Sequence, residues 1–404
     1  MELIQAGWLL PIVGPPIRKG VVAVSAGRVV WLGQRGDPGI PDGPVHDLGD
    51  GVLLPGLVNA HCHLELSHLA AAGLPSRAGL VPWVEAVVAS RGRYSDAEVA
   101  AAASAAIGGL EASGTAAVGD VSNTLAHLQL LAASSLSAVV FLELLAWDPA
   151  RAAATLAWGE SLVEEKQKAL RPGLELRLAA HAPHSVSAEL MRLLAGKGGP
   201  AALHLAESPD ETQFLADGSG AWPGFLASRG LGHVSFEPPR ESPVAYCDTL
   251  GALHPRLVAA HGVQVDAGDR VRLARRGVHV VLCPRSNERL GVGTADAPSL
   301  LEAGVRLALG SDSLASSPSL DVLDDAVLLR HQFPRLEAGT ILRLATLGGA
   351  EALGFSELGA IEPGRRAAFA YAPAAGAPPD PEAFLLSGEA RLGRVALPVP
   401  QMQP

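Results

Sequence analysis

The rhythm of hydrophobic and polar positions divides the chain into three stretches. Residues 1–52 hold short apolar runs, GVVAVSAGRVVWLG among them, cut by Gly, Pro and Asp, the texture of short strands joined by turns. From 53 to 358, short β-like runs alternate with longer Ala/Leu/Arg/Glu stretches, as repeated βα units do. The tail, 359–404, begins GAIEPGRRAAFAYAPAAGAPP and returns to the first texture.

Eight strands are predicted in the middle stretch: Val52–Ala60, Thr115–Val121, Ala138–Leu145, Glu175–Ala180, Ala201–Ala206, Leu257–Ala260, Val278–Leu282 and Arg306–Gly310. Between them, SDAEVAAAASAAIGGLEASG and DAGDRVRLARRG open on Ser or Asp and close on Gly, as helix caps require. The count and spacing predict an α/β fold, a (β/α)8 TIM barrel, whose active site lies at the C-terminal strand ends. The insertion after strand five, about 217–246, is rich in Gly and Pro and reads as a loop over the pocket, a lid.

Composition narrows the class. A net charge of −10 over 404 residues argues against nucleic acid or an anionic membrane as main partner. No apolar run approaches the length of a membrane helix, and the start, carrying Glu2 and no basic stretch, does not read as a secretory signal. Cys62, Cys247 and Cys283 are isolated, which suits a reducing cytoplasm and leaves Cys62 as a small buried residue.

Chemistry enters at the strand ends. His61 and His63 follow strand one, His181 strand four, His204 strand five, His261 strand six and Asp312 strand eight. Residues i and i+2 of a strand share a face, so His61 and His63 can both enter the barrel mouth. With His204 and Asp312 they form a three-His-plus-Asp set suited to a zinc-like ion that keeps one position open for water. Glu207, three residues after His204, is placed to act as acid or base, and His261 to orient the nucleophile. Asp120, Glu143 and His279 read as structural residues.

These residues sit in the motifs PGLVNAHCH, HLAES, AAHGV, CPRSN and GSDS. Their order resembles the amidohydrolase superfamily, in its cytosine, guanine and adenosylhomocysteine deaminase-like branch. The resemblance covers nearly the whole chain and implies that the two end segments form one small β-sandwich. It implies a single divalent metal, zinc or else iron, held by His61, His63, His204 and Asp312. Asp312 would also take a proton from the metal-bound water, His261 would hold the resulting hydroxide, and Glu207 would protonate a ring nitrogen. Two-metal relatives use a carboxylated lysine after strand four, where this chain has LAAHAPHS and no lysine.

HCHLELS, VPWVEAVVASR and HAPHSVS are similar to chlorohydrolase-type members and to aminodeoxyfutalosine deaminases. On that resemblance Glu65, Trp83, Arg91, His181, His184 and, from CPRSN, Asn287 are candidate substrate contacts. Glu65 would meet ribose hydroxyls, Trp83 a purine and Arg91 a carboxylate. The implied activity is hydrolytic deamination of an aminopurine nucleoside or similar aromatic amine, with a homodimer as in many relatives. Hydrolysis of another ring substituent or cyclic amide, of triazine or imidazolone type, shares the same metal site. A scaffold without catalysis fits less well, because every expected ligand position is filled.

Overall fold

The computed structural model describes residues 1–199 and 201–396; the last part of the predicted second end segment, 397–404, lies outside the described residues. The chain forms two compact units, one of Met1–Val58, Gly109–Ala117 and the residues from Asp321 on, the other of Asn59–Gly108 and Val118–Leu320.

In the first unit both ends of the chain build a small β-sandwich. One sheet orders Arg28–Gln34, Gly20–Ser25, Glu2–Gln5 and Val45–Asp47; the other orders Gly393–Arg394, Phe369–Ala372, Val52–Pro55, Trp8–Leu9 and Ile17–Arg18. Ile4, Leu9, Val22, Leu53, Ile361 and Phe369 form its core, so residues more than 300 apart in sequence share one hydrophobic cluster.

The predicted first strand, Val52–Ala60, is two strands. Val52–Pro55 pairs with Phe369–Ala372 in the sandwich, and the barrel strand β1 is Leu57–Cys62. Gly56 is the joint: a Cβ there would stand 2.7 Å from the Cβ of Ala116, so only glycine lets the chain cross so close to its neighbour.

The other barrel strands are β2 (Thr115–Ser122), β3 (Ser137–Leu144), β4 (Leu174–Ala180), β5 (Ala202–Leu205), β6 (Val258–His261), β7 (His279–Leu282) and β8 (Arg306–Leu309). Nearly all their residues are buried, as in a parallel sheet covered on both faces. They pair as two parallel sheets, β1–β4 and β5–β8. Two seams join them. His204 N–H donates to His181 O at 2.8 Å, and Ser311 N–H donates to His61 O at 3.1 Å. The barrel is thereby closed.

DAGDRVRLARRG folds as the helix Ala267–Arg276, with Asp266 and Asp269 in a reciprocal capping box and Gly277 left-handed at φ 66°. The insertion after β5 is not the plain loop its composition predicts. It leaves the helix Pro209–Asp217 and contains the helix Trp222–Ser228, because Trp222 and Leu226 bury against the Trp83, Trp147 and Phe214 cluster. No helix among the described residues is long and apolar enough to cross a membrane.

Candidate active site

The C-terminal ends of β1, β5, β6 and β8 deliver four imidazoles and a carboxylate to one point. His61, His63 and His204 offer nitrogen atoms that all lie within 4.8 Å of one another. His63 Nε2 is 3.1 Å from His204 Nε2 and 3.7 Å from Asp312 Oδ1. Backbone geometry aims these groups. Ala206, His261 and Asp312 are left-handed, with φ of 53°, 76° and 58°, a conformation rarely taken outside glycine and held only where the surroundings impose it.

Two of the imidazoles, His204 and His261, have one nitrogen assigned and one left over. His204 Nδ1 donates to His181 O at 3.0 Å, with Glu143 Oε1 at 3.4 Å beside it. His261 Nδ1 donates to Asn287 Oδ1 at 3.0 Å. That leaves Nε2 of both rings as lone-pair acceptors facing inward. His61 Nε2 is buried with no protein partner. Burial, reinforced by the neighbouring imidazoles, holds His61 well below its ordinary value. Burial also pushes His204 down to about 3, against the opposing pull of Glu143. Both rings are therefore neutral at pH 7 and able to bind a cation without losing a proton first.

Asp312 is wired the other way. Its Oδ2 accepts from Ser286 Oγ at 2.5 Å and Ser316 Oγ at 2.9 Å, which leaves Oδ1 facing the imidazoles. Burial disfavours its charge, but His63, His261 and the Ser286 hydroxyl outweigh it and hold the carboxylate below its ordinary range. Three imidazoles and an ionised carboxylate converging in a buried pocket match the donor set of a catalytic zinc-type centre. The orphaned His61 Nε2 and the close approach of two imidazole lone pairs are what a cation between them would satisfy.

Glu207 faces the same point, with Oε1 3.7 Å from His261 Nε2. Burial, and then the charge of Asp312, raise it to about 8. Two carboxylates of one pocket are thus pushed apart, Asp312 ionised and Glu207 protonated at neutral pH. Such a split assigns base and acid roles.

The cavity above this point is lined by His63, Leu66, Leu80, Trp83, Val84, Arg91, Glu143, His181, His184, Trp222 and Phe225, among others. Trp83, Arg91, His181 and His184, candidate substrate contacts on the resemblance, line this wall. Trp83 also donates to Ala315 O at 3.4 Å and belongs to the apolar cluster beneath. Arg91 Nη2 reaches Glu65 Oε1 at 3.1 Å, while its side chain stays 40% exposed. His184, fully buried with both nitrogens unpartnered, stacks on Trp222 with centroids 4.0 Å apart.

Two expected contacts do not line the cavity. Glu65 Oε2 accepts from Ser122 Oγ at 2.7 Å, Asn123 N–H at 3.0 Å, Thr124 N–H at 3.1 Å and Thr124 Oγ1 at 2.9 Å. With Oε1 on Arg91, it staples the β2 loop behind the wall and has no capacity left for ribose. Asn287 likewise serves His261 rather than a ligand. Conversely, Glu143, read as structural, lines the cavity, with Oε1 facing His204 but making no hydrogen bond. Asp120 keeps its structural reading, accepting from Leu64 N–H and pairing with His127 at 2.6 Å. Trp222 and Phe225 were not foreseen, since nothing in a Gly/Pro-rich insertion marks one aromatic as a wall residue.

The profile of the amidohydrolase family matches residues 52–375. Aminodeoxyfutalosine deaminase of Deinococcus radiodurans is 36% identical over 351 residues, covering 82% of this chain and 82% of that protein. The 5-methylthioadenosine/S-adenosylhomocysteine deaminase of Moorella thermoacetica is 31% identical over 387 residues, covering 90% and 84%. Among solved structures, an adenosine deaminase from Xanthomonas campestris with bound zinc superimposes with a TM-score of 0.79 at 28% identity, over 96% of this chain and 89% of that one. A barrel closed on a three-His, one-Asp centre, a matching profile over most of the length and relatives above 30% identity lead to one assignment: the chain belongs to the amidohydrolase family.

Proposed function

We propose that this protein is a metal-dependent deaminase that replaces the exocyclic amine of an aminopurine nucleoside by oxygen, releasing ammonia. The observation that carries the reading is the opposed pair of carboxyl groups, Glu207 protonated and Asp312 ionised, facing one cavity. The names of the relatives support the substrate class.

His61, His63, His204 and Asp312 would hold one divalent ion, zinc by the chemistry of the donors, which when bound supplies the Lewis acidity that activates water near neutral pH. The residues do the rest. His261, fixed by Asn287, presents an Nε2 lone pair that orients the attacking water. Glu207 delivers its proton to the ring nitrogen beside the carbon under attack, so that negative charge does not build there. Asp312 Oδ1 accepts the proton of the water and returns it to the departing amine. As the oxo group forms, the second proton of the water passes from the carbon-bound oxygen back to Glu207, so that water and the amine enter and the oxo compound and ammonia leave.

The apolar wall of Trp83, Leu80, Val84, Trp222 and Phe225 shields the base from solvent and offers it a flat face. Arg91, half exposed at this wall, suits a remote carboxylate such as that of aminodeoxyfutalosine. The three cysteines are free and buried, which suits a reducing compartment such as the cytoplasm.

The test is ammonia release by zinc-loaded protein against aminodeoxyfutalosine, methylthioadenosine, adenosylhomocysteine, adenosine, guanine and a triazine amine. Strong turnover of one nucleoside, lost in Glu207→Gln, is the expected result. Silence across the nucleosides from fully loaded protein overturns the reading.

A further inference from the structure

Glu211 is a carboxyl with no exposed surface, and the mechanism above gives it no role. Its partners are backbone amides of the turn that carries Glu207: Ala206 N–H donates to Oε1 at 3.2 Å and Glu207 N–H to Oε2 at 2.8 Å. Its own N–H donates to Ser208 Oγ at 3.2 Å, the N-cap of the helix Pro209–Asp217. On the other side of the same turn, Ala206 O accepts from Val263 N–H at 2.9 Å and Gln264 N–H at 2.7 Å. The turn is therefore clamped from both sides at Ala206, whose backbone is left-handed.

A helix cap alone does not ask for this. Ser208 already serves as the cap, and a glutamine or alanine in the first turn would avoid burying a carboxyl away from any cation. What the bidentate grip does fix is the direction of the Cα–Cβ bond of Glu207, because two consecutive amides are tied to one rigid planar group. We propose that Glu211 is the positioning residue for Glu207, holding the strained turn so that the acid points at the ring nitrogen of the substrate. Burial raises Glu211 to about 8, so at neutral pH the grip is mostly that of a neutral carboxyl rather than of a fixed charge.

This inference rests on the deaminase reading, and its test separates the two. Glu211→Gln keeps the shape but turns one acceptor into a donor facing an N–H. The expected result is a fall in kcat of about 10²-fold with KM within about threefold, full metal content, and faster amide exchange at 204–209. Gly218→Ala, which strains the left-handed C-cap of the same helix (φ 77°), controls for helix stability: it lowers Tm and leaves kcat and exchange at 204–209 unchanged. In a Glu207→Gln background, Glu211→Gln costs nothing further, as for residues acting in series. If Glu211→Gln does not fold, Glu211→Asp, too short to span both amides, takes its place with the same expectation. A kcat within twofold of the parent, or losses that multiply in the double variant, overturns the proposal. Absence of ammonia release by the unmodified enzyme instead overturns the deaminase reading.

Discussion

The two sides of the pocket are built on opposite principles. On the β1, β5, β6 and β8 side, three polar groups have one side-chain atom tied down and one free, His204 to a carbonyl, His261 to Asn287 and Asp312 to two serines, and Glu207 stands on a clamped turn. On the facing side, Trp83, His184, Trp222 and Phe225 meet through ring contacts and apolar packing. His184 offers no fixed bond at all. The first arrangement fixes direction, which acid–base chemistry needs. The second fixes shape, which tolerates exchange of one side group for another. Reaction type and substrate choice are therefore separable in this molecule.

Substitutions on the two sides should behave differently, and the largest effect belongs to the first. His204→Ala should lose the metal and lower kcat/KM by about 10³-fold or more, since it removes a ligand rather than a contact; metal analysis alongside ammonia release checks both. Glu207→Gln should keep the metal and lose about 10² to 10⁴ in kcat, measured at saturating substrate.

The pH profile sharpens the same point. Glu207 is raised to about 8 by burial and by Asp312, and the reaction uses its protonated form. Activity should therefore hold up to about pH 8 and fall tenfold per unit above it, and Glu207→Gln should lack that limb.

On the facing side, His184→Phe should leave kcat nearly unchanged and move KM by about tenfold in a substrate-dependent way. The smallest effect is expected from Arg91→Ala: KM rises by about tenfold for a nucleoside carrying a carboxylate and by less than twofold for an uncharged one. Equal losses for both substrates would break the division drawn above.

The same division explains what could be read from the chain. Most of the barrel strands are visible as apolar runs because both faces of each are buried, β4 with Glu175 and Arg177 being the exception, and the ligands are visible because they interrupt those runs at the ends. The break at Gly56 was hidden by the same fact: VLLPGLV stays apolar through the crossing from sandwich to barrel. Glu65 is a candidate substrate contact only on the resemblance carried by HCHLELS, and its donors begin at Ser122, 57 residues later. Trp222 is invisible for the converse reason. Its partner His184 lies on another βα unit, and stacking leaves no periodicity in either segment.

Cys62 has a consequence for metal supply. It stands between two ligands, yet burial, followed by the charges of Asp120 and Asp312, raises its thiol well above the usual range, and its side chain is buried on the far face of β1. Sulfur thus stays out of the donor set, which is left with nitrogen and oxygen alone. Such a set accommodates several first-row ions, and loading follows availability as well as affinity. The same chain grown in iron-rich and in zinc-rich medium should differ in its sensitivity to oxygen while keeping one fold.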